Sequence, residues 1–139
     1  MKKPKKLTYA KAKREAWTWF SKYIRMKACF EGIGNESFGS CFTCGKRVSF
    51  KQGQAGHFIP GRHNSVLFDE RNCHLQDYYC NVGLKGNPVE YYSRMLSDYG
   101  QEVIDELRKL DKQILEYKVV DLVKIKEKYE KLYQALIKI

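Results

Sequence analysis

The chain has 139 residues, of which 43% are hydrophobic and 30% charged, and its net charge is +10. These values fit one soluble globular domain and exclude a disordered chain. No apolar run approaches the length of a membrane span, and no apolar stretch follows the basic N-terminus. We therefore expect no membrane partner and no secretion, and we place the protein in the cytoplasm.

Most of the excess positive charge lies at the N-terminus. Residues 1–27 contain ten Lys and Arg against the single acid Glu15, whereas residues 98–139 contain nine residues of each sign. A basic segment of this kind suits a polyanion such as DNA, because each neutralised phosphate releases a counterion. Charge alone fits a solubilising surface equally well.

The spacing of apolar residues predicts a helix over 8–27, with Thr8 as its N-cap. Its apolar stripe comprises Ala10, Trp17, Phe20 and Ile24, which we expect to face the core. The basic side chains lie off that stripe and point outward. The candidates for phosphate contact on this helix are Lys11, Lys13 and Arg14.

A glycine-containing loop leads into Cys41, and residues 47–68 suit two short strands around a loop. A second helix is expected near Asp77. A third begins at Pro88, with Asn87 as cap, and ends at Gly100. Another short helix follows around residues 103–110. The last helix begins at Asp121, and its apolar stripe consists of Leu122, Ile125, Tyr129, Leu132 and Leu136. That stripe packs either on the N-terminal helix or against a second copy of the chain.

Four of the five cysteines have a spacing typical of a metal site. Cys41 and Cys44 form a CxxC pair followed by glycine, and Cys73 and Cys80 come about 30 residues later. Tetrahedral zinc needs four such ligands, and a disulfide framework is not expected in the cytoplasm. Asp77 and His74 are also close in sequence to the second pair, and Asp77 could instead cap the second helix. Cys29 lies outside this pattern and is expected to be a small buried residue.

Three polar residues between and after these pairs suggest hydrolytic chemistry. His57 follows an expected strand, Asn72 comes fifteen residues later, and Asn81 lies on the expected second helix. This order is typical of the HNH arrangement. Phosphodiester hydrolysis needs a neutral imidazole to take a proton from water, and a hard cation to stabilise the leaving oxygen. An asparagine is needed to hold the loop that orients the imidazole.

These motifs resemble the phage NinG/Rap recombination endonucleases, which are HNH-type proteins acting on branched DNA. The resemblance covers residues 41 to about 107. It rests on CxxCG at 41–45, AGH at 55–57, LF at 67–68 and ERN at 70–72, and on His74, Gln76, Cys80, Asn81, Gly86, Asn87, Val89, Tyr91 and GQEV at 100–103. It implies that His57 is the general base, that Asn81 binds a metal, and that Cys41 and Cys44 form half of a zinc site.

The sequence departs from the family pattern at two positions. Many HNH enzymes carry an aspartate just before the base, where this chain has Gly56. The family has a cysteine where this chain has Asp77, and here a cysteine stands at position 73 instead. We therefore expect Cys41, Cys44, Cys73 and Cys80 to hold a structural zinc. Asp77 would then join Asn81 in binding a catalytic Mg²⁺ or Mn²⁺. The rival assignment makes Asp77 the fourth zinc ligand and Cys73 a core thiol.

The sequence thus predicts an α+β fold, in which a zinc-stapled ββα-metal motif is flanked by an N-terminal helix and C-terminal helices. One HNH endonuclease domain would span 1–139, with a basic helix and loop over 1–40, the zinc/HNH motif over 41–87 and a helical extension over 88–139. The expected activity is metal-dependent hydrolysis of phosphodiester bonds in branched DNA recombination intermediates, with His57, Asn72 and Asn81 as catalytic residues. Further candidates for phosphate contact are Arg62, Arg71 and Lys85.

The same residues fit three alternatives to this enzyme, and they also suggest a homodimer. The first is a zinc-stapled DNA-binding module without catalysis, and the second is a sequence-specific HNH restriction or homing enzyme. A blander alternative leaves the cysteines as free thiols. A homodimer through the C-terminal stripe would supply two active sites for cutting both strands at a branch.

Overall fold

A computed structural model describes residues 6–32 and 37–138 of the chain. It is a mixed structure of helices and two small sheets. The elements in chain order are α1 (Tyr9–Gly32), β1 (Phe38–Ser40), β2 (Arg47–Ser49), β3 (Gln54–His57), α2 (Asn64–Leu67), a 3₁₀ turn (Glu70–Asn72), β4 (Cys73–Gln76), a π-helix (Tyr79–Gly83), α3 (Pro88–Tyr99), α4 (Gln101–Asp111) and α5 (Val119–Ile137). The basic residues 1–5 and part of the loop before Cys41 lie outside the described residues.

Helix α1 forms as predicted, with the Thr8 hydroxyl accepting a hydrogen bond from the Lys11 N–H at 3.2 Å. Its buried stripe differs from the prediction at the N-terminal end, where Ala12 and Ala16 are buried and Ala10 is exposed. Ala12 and Ala16 are buried because helix α5 packs along α1. It covers the face of α1 that carries Ala12, Ala16, Phe20 and Ile24.

The apolar stripe of α5 packs on α1 within the chain. Leu122 and Tyr129 are buried there, and the Tyr129 ring meets the Phe20 ring edge-on with centroids 4.9 Å apart. Ile125 and Leu132 pack against the same cluster. This face is therefore covered by α1, so a homodimer would have to use another surface. Assembly into a dimer stays a prediction.

Each of the two sheets consists of two antiparallel strands. β1 pairs with β2, and β3 pairs with β4, which places His57 opposite Cys73 and Gly56 opposite His74. The sequence predicted β2 and β3 as two strands around a loop. The partner of β3 is instead β4, which sequence analysis did not predict, because a strand of four residues leaves too short a pattern.

Helices cover both faces of the β3–β4 hairpin. Cys73 on one face lies in a core cluster with Phe20 and Ile24 of α1. On the other face, the Tyr91 hydroxyl of α3 donates a hydrogen bond to the Gly56 carbonyl at 2.7 Å. Tyr91 continues into a second core cluster of α3 and α4 residues with Phe42. The hairpin is thus held between two helical layers, which fixes the side chains at its ends.

The segment after β4 differs from a regular helix. Leu84 N–H donates to the Tyr79 carbonyl five residues earlier, at 2.7 Å, which is π-helical spacing. Helix α3 begins at Pro88 as predicted and ends at Gly100, which has φ of 88°. Asn87 occupies the predicted N-cap position. The predicted capping hydrogen bond is not made, because Asn87 adopts a left-handed conformation and its side chain does not bond to the helix N-terminus. Among the described residues, no helix is long and apolar enough to cross a membrane.

Candidate metal centre and active site

Three cysteines and one aspartate converge at the end of the β3–β4 hairpin. The ligand atoms of Cys41, Cys44, Asp77 and Cys80 all lie within 4.8 Å of one another. Cys41 and Cys80 are buried and Cys44 is exposed, so one side of the cluster faces solvent. Three thiols and one carboxylate are donors that zinc accepts, and four is the number of ligands in a tetrahedral structural site. The Cys3Asp cluster therefore fits a metal ion such as zinc.

Local backbone geometry brings the two halves of the Cys3Asp cluster together. The Cys41 carbonyl accepts from the Gly45 N–H at 2.8 Å, in a turn that Gly45 closes with φ of 77°. Asp77 directly follows β4, where its Oδ1 accepts from the Cys80 N–H at 2.7 Å and its Oδ2 lies 3.1 Å from Cys44 Sγ. Asp77 thus caps the following helix and faces the thiols with the same carboxylate.

Electrostatics favour an ionised carboxylate in the cluster. Partial burial alone would raise the pKa of Asp77, but hydrogen bonds from the Cys80 N–H and from the neighbouring thiols lower it below the usual value. At Cys41, burial likewise opposes ionisation, and hydrogen bonds from the Thr43 side chain and from backbone N–H groups outweigh it and lower the thiol pKa. Burial raises the pKa of Cys44 to about 12 and also raises the pKa of Cys80. Metal binding to thiols requires their deprotonation, so the ion itself would have to displace the protons of these two thiols.

The structure corrects the predicted zinc ligands at one position. Cys73 does not join the Cys3Asp cluster, because it begins β4 on the face that packs against α1. It is buried between Phe20, Ile24 and Tyr129, and burial raises the pKa of its thiol. Asp77, which follows the other end of the strand, takes the fourth place. Cys29 is buried in α1 as expected.

The same placement removes Asp77 from the predicted catalytic ion. Asp77 and Asn81 were expected to share a helical face because they are four residues apart. The Asn81 N–H does donate to the Asp77 carbonyl at 3.0 Å, so the two residues are one helical turn apart as expected. The Asp77 carboxylate, however, faces the thiols, whereas Asn81 donates from Nδ2 to Gln54 Oε1 at 2.6 Å and lies against Gly56. Asp77 is therefore not free as predicted, and a catalytic ion at Asn81 stays a prediction.

His57 lies at the end of β3 in a defined orientation. Its Nε2 is 3.1 Å from the Leu67 carbonyl oxygen, and its ring stacks on Trp17 with centroids 5.2 Å apart. A carbonyl can only accept, so Nε2 carries the proton and Nδ1 has a free lone pair. Burial lowers the pKa of His57, the Leu67 carbonyl opposes this, and the charge of Arg62 lowers the pKa further. The imidazole is therefore neutral at neutral pH.

Asn72 fastens the loop that follows His57. It is fully buried, its Oδ1 accepts from the Ile59 N–H at 2.9 Å, and its Nδ2 donates to the Val66 carbonyl at 3.3 Å. The Asn72 carbonyl also accepts from the Phe58 N–H at 2.8 Å. These bonds span residues 58–66 and hold the chain that carries Leu67. Asn72 is therefore a positioning residue for His57.

The basic residues predicted to contact phosphate fall into different environments. Arg62 is exposed, and its guanidinium carbon lies 4.5 Å from the centre of the Trp17 ring, which also stacks on His57. Lys13 donates to Asn64 Oδ1 at 2.9 Å. Lys11, Arg14 and Lys85 are also exposed.

Arg71 has an intramolecular role. It donates to both carboxylate oxygens of Asp69, at 3.0 and 2.8 Å, and to Glu106 Oε2 at 2.9 Å. Hydrogen bonding to Asp69 is the main reason that the pKa of Arg71 is raised. Because its guanidinium is bonded to these two acids, Arg71 does not offer the free cation that the predicted phosphate contact requires.

Sequence analysis missed two residues around the site. Trp17 packs against the core cluster that contains Phe20, as expected, but its ring is only partly buried and also contacts His57 and Arg62. Gln76 is fully buried beside Asn81 and Gly56, although glutamine is a residue usually found at the surface. Its position at the end of β4, one residue before Asp77, was visible only once that strand was known.

The fold and the site together define a protein of mixed helices and small sheets with a Cys3Asp cluster beside a His–Asn pair. The chain belongs to the family described as Bacteriophage Lambda NinG protein, whose model matches residues 2–138. Over 68 residues it is 38% identical to "Protein ninG" of Escherichia phage 933W and of Escherichia phage lambda, and 35% identical to that of Salmonella phage P22. Each match covers 48% of this chain and 33% of the relative. No solved structure gives a significant match.

Proposed function

We propose that this protein is a metal-dependent DNA endonuclease of the HNH type, with His57 as general base. The observation that carries the proposal is the hydrogen bond between His57 Nε2 and the Leu67 carbonyl, at 3.1 Å. It fixes the tautomer and leaves Nδ1 as the basic atom, while the lowered pKa keeps the ring neutral. A neutral, oriented imidazole is what removal of a proton from water requires.

The surrounding framework supports the same function. β3 carries His57, β4 pairs with it, and the π-helix that follows carries Asn81. Two strands followed by a helix, with a histidine on the first strand and a metal-binding residue on the helix, is the arrangement that the HNH resemblance implies. The Cys3Asp cluster joins the CxxC turn to the start of the helix, so a zinc ion there would hold the site together.

The residues suggest a direct route for hydrolysis. His57 Nδ1 takes a proton from a water molecule, and the water oxygen forms a bond to phosphorus as the bond to the 3′ oxygen breaks. The departing 3′ oxygen takes a proton from solvent water, and His57 later releases its proton to solvent, so the products are a 3′ hydroxyl and a 5′ phosphate. A Mg²⁺ or Mn²⁺ ion beside Asn81 would supply stabilisation of the charge on the leaving oxygen. Arg62, whose guanidinium lies over the Trp17 ring, would neutralise the attacked phosphate.

Branched DNA is the substrate class that the family resemblance implies, and the basic surface of α1 is compatible with it. Lys11 and Arg14 are exposed on that helix, whose Trp17 reaches the His57 ring. DNA lying along α1 would therefore extend from the basic residues to the proposed base.

Two alternatives lead to different results. A zinc-stapled DNA-binding module would bind DNA without cutting it, and would not need a neutral histidine with a fixed tautomer. A sequence-specific restriction or homing enzyme would cut one linear sequence. The histidine geometry favours hydrolysis over simple binding.

The test is cleavage by the full-length, zinc-loaded protein of four-way junctions, flaps and linear duplexes, with Mg²⁺, with Mn²⁺ and with chelator. We expect metal-dependent cutting of branched DNA that His57→Ala lowers by at least ~100-fold. His63→Ala is the matched control, because His63 is exposed and its Nδ1 pairs with Asp111 Oδ1 at 2.7 Å. Binding without cutting in every metal would refute the proposal, and so would equal activity of His57→Ala and His63→Ala.

A further inference from the structure

The face of β3 at Gly56 is crowded by two side-chain oxygens. A β-carbon built on Gly56 would collide with Gln76 Oε1, and Asn81 Oδ1 would lie 2.8 Å from it. The two oxygens therefore converge on the space into which any side chain at position 56 would project. This is the position where the HNH resemblance leads one to expect an aspartate.

Hydrogen bonds fix which end of each amide faces that space. Gln76 Nε2 donates to Thr43 Oγ1 at 3.1 Å and to the Gly86 carbonyl at 3.0 Å. Asn81 Nδ2 donates to Gln54 Oε1 at 2.6 Å. Both NH₂ groups are thus tied back to the protein. The oxygens are the atoms left to point into the space above Gly56.

The Gln76 oxygen has no partner of its own. Gln76 is fully buried, and its Oε1 makes no hydrogen bond within the described part of the chain. A buried carbonyl oxygen without a partner is unfavourable, and native proteins rarely keep one unless a water or an ion satisfies it. The same oxygen faces a second amide oxygen, and two acceptors cannot bond to each other. A cation between them satisfies both.

We propose that Gln76 Oε1 and Asn81 Oδ1 together bind the divalent cation, and that Gln76 takes the place of the aspartate missing at position 56. This inference rests on the proposed function for the role of the cation in cutting, but binding can be measured without DNA. Mg²⁺ and Mn²⁺ prefer oxygen ligands, and Mg²⁺ keeps several waters when the protein offers only one or two groups. Two neutral amides bind such an ion more weakly than carboxylates, so DNA phosphate would complete the site.

The Cys3Asp cluster holds Gln76 in place. Gln76 directly precedes Asp77, and Thr43 Oγ1, which accepts from Gln76 Nε2, is 3.4 Å from Cys41 Sγ. The loop between Cys41 and Cys44 thus contributes the residue that orients the Gln76 amide. An ion in the Cys3Asp cluster would thereby support the second ion site without touching it.

The experiment measures Mn²⁺ binding to the full-length, zinc-loaded protein by the loss of the electron paramagnetic resonance signal of free Mn²⁺. We expect one Mn²⁺ site in the wild type. Gln76→Glu keeps the length of the side chain and replaces the amide oxygen by a carboxylate, so it should bind Mn²⁺ more tightly. Gln76→Ala should weaken binding by about tenfold or more. Gln52→Ala is the matched control, because Gln52 is an exposed glutamine of the neighbouring turn.

A double variant tests whether Gln76 and an aspartate at position 56 compete for one space. Gly56→Asp alone should disturb the protein, because its side chain meets Gln76. Gly56→Asp combined with Gln76→Ala should restore or exceed wild-type Mn²⁺ affinity, because the carboxylate then enters the vacated space. Zinc content and thermal unfolding, measured in each variant, identify any that fail to fold.

The outcomes separate this inference from the proposed nuclease function. Wild-type Mn²⁺ affinity in both Gln76→Ala and Gln76→Glu would overturn the assignment of Gln76, even if the protein cuts DNA. If Gln76→Ala loses zinc and cannot be interpreted, wild-type Mn²⁺ affinity in Gln76→Glu is by itself enough to overturn the assignment of Gln76. Loss of the Mn²⁺ site in Gln76→Ala and tighter binding in Gln76→Glu would support the cation site, even in a protein that cuts no DNA.

Discussion

The carboxylate oxygen Oδ2 of Asp77 lies 3.1 Å from Cys44 Sγ, so an aspartate and not Cys73 is the fourth member of the Cys3Asp cluster. We predict that Asp77→Ala lowers the zinc content and destabilises the fold, since structural zinc binding contributes folding energy. Asp77→Cys should retain zinc and hold it against higher chelator concentrations, because thiolate is the softer ligand. Zinc per chain, measured by atomic absorption after dialysis against chelator, tests both. Full zinc retention in Asp77→Ala would contradict the assignment.

Cys73 offers the complementary prediction. Cys73→Ser should keep one zinc per chain but lose stability by roughly 1–3 kcal/mol, because it places a hydroxyl among apolar side chains. Cys73→Ala removes the sulfur without adding a polar group and serves as the matched control. Denaturant unfolding of zinc-loaded protein measures the difference between the two variants. Loss of zinc from Cys73→Ser in a folded protein would return Cys73 to the ligand set.

The sequence carried enough information for the helices and for most of the site. Helix α1 and helix α5 have long apolar stripes, and Pro88 and Gly100 bound α3. Within the site, His57 lies at the end of a strand and Asn72 holds the loop that follows, as expected, while their catalytic roles stay predictions. Of the six residues predicted to bind metal, Cys41, Cys44, Cys80 and Asp77 form the Cys3Asp cluster, Cys73 does not join it, and the role of Asn81 stays a prediction.

The predictions that failed concern the orientation of single side chains in short strands and turns. β4 has four residues, so its pleat, and with it the burial of Cys73, could not be read from the pattern. The π-helical geometry of Tyr79–Gly83 could not be foreseen either. The role of Gln76 depends on hydrogen bonds to Thr43 and Gly86, which are distant in sequence.

The pH dependence of cleavage should follow His57. Its pKa lies below the ordinary 6.5, so the basic form is already complete at neutral pH and is lost only as the pH falls below the folded-state value. We expect the cleavage rate to be flat above about pH 6.5 and to fall in more acidic solution. Single-turnover rates on a four-way junction, with circular dichroism at each pH to confirm folding, provide the test. A rate that rises as the pH falls from 7 to 5 would be incompatible with a general base at this position.

His74 should make the protein sensitive to acid unfolding. Its ring stacks on Phe42 with centroids 3.9 Å apart, and burial lowers the pKa of His74 to about 3. The Tyr91 hydroxyl donates to the Gly56 carbonyl and so accepts from His74 Nδ1, while Nε2 accepts from Tyr99. The neutral ring is thus the bound form.

Linkage gives the sign of this effect. Below about pH 6.5 the unfolded chain takes up a proton on His74 that the folded chain does not, so stability falls as the pH drops toward the folded pKa. His74→Gln, which does not titrate, should be less stable at pH 7 but lose less of its stability between pH 6.5 and pH 4. Denaturant unfolding of both proteins across this range compares the slopes. Parallel slopes would mean that His74 is protonated in the folded protein.

Arg62 and Arg71 form a matched pair for testing the DNA-binding surface. Arg62 is exposed and stacked on Trp17 next to His57, whereas Arg71 is bonded to Asp69 and Glu106. We expect Arg62→Ala to weaken DNA binding and to lower the slope of log affinity against log salt by about 1, since one phosphate contact is lost. Arg71→Ala should leave that slope unchanged and lower the unfolding midpoint, because it leaves two carboxylates without their partner. Fluorescence anisotropy with a labelled junction at several salt concentrations measures the slopes, and thermal unfolding measures stability. The reverse pattern, in which Arg71→Ala changes the slope and Arg62→Ala does not, would place the phosphate path on the α4 side of the molecule and away from His57.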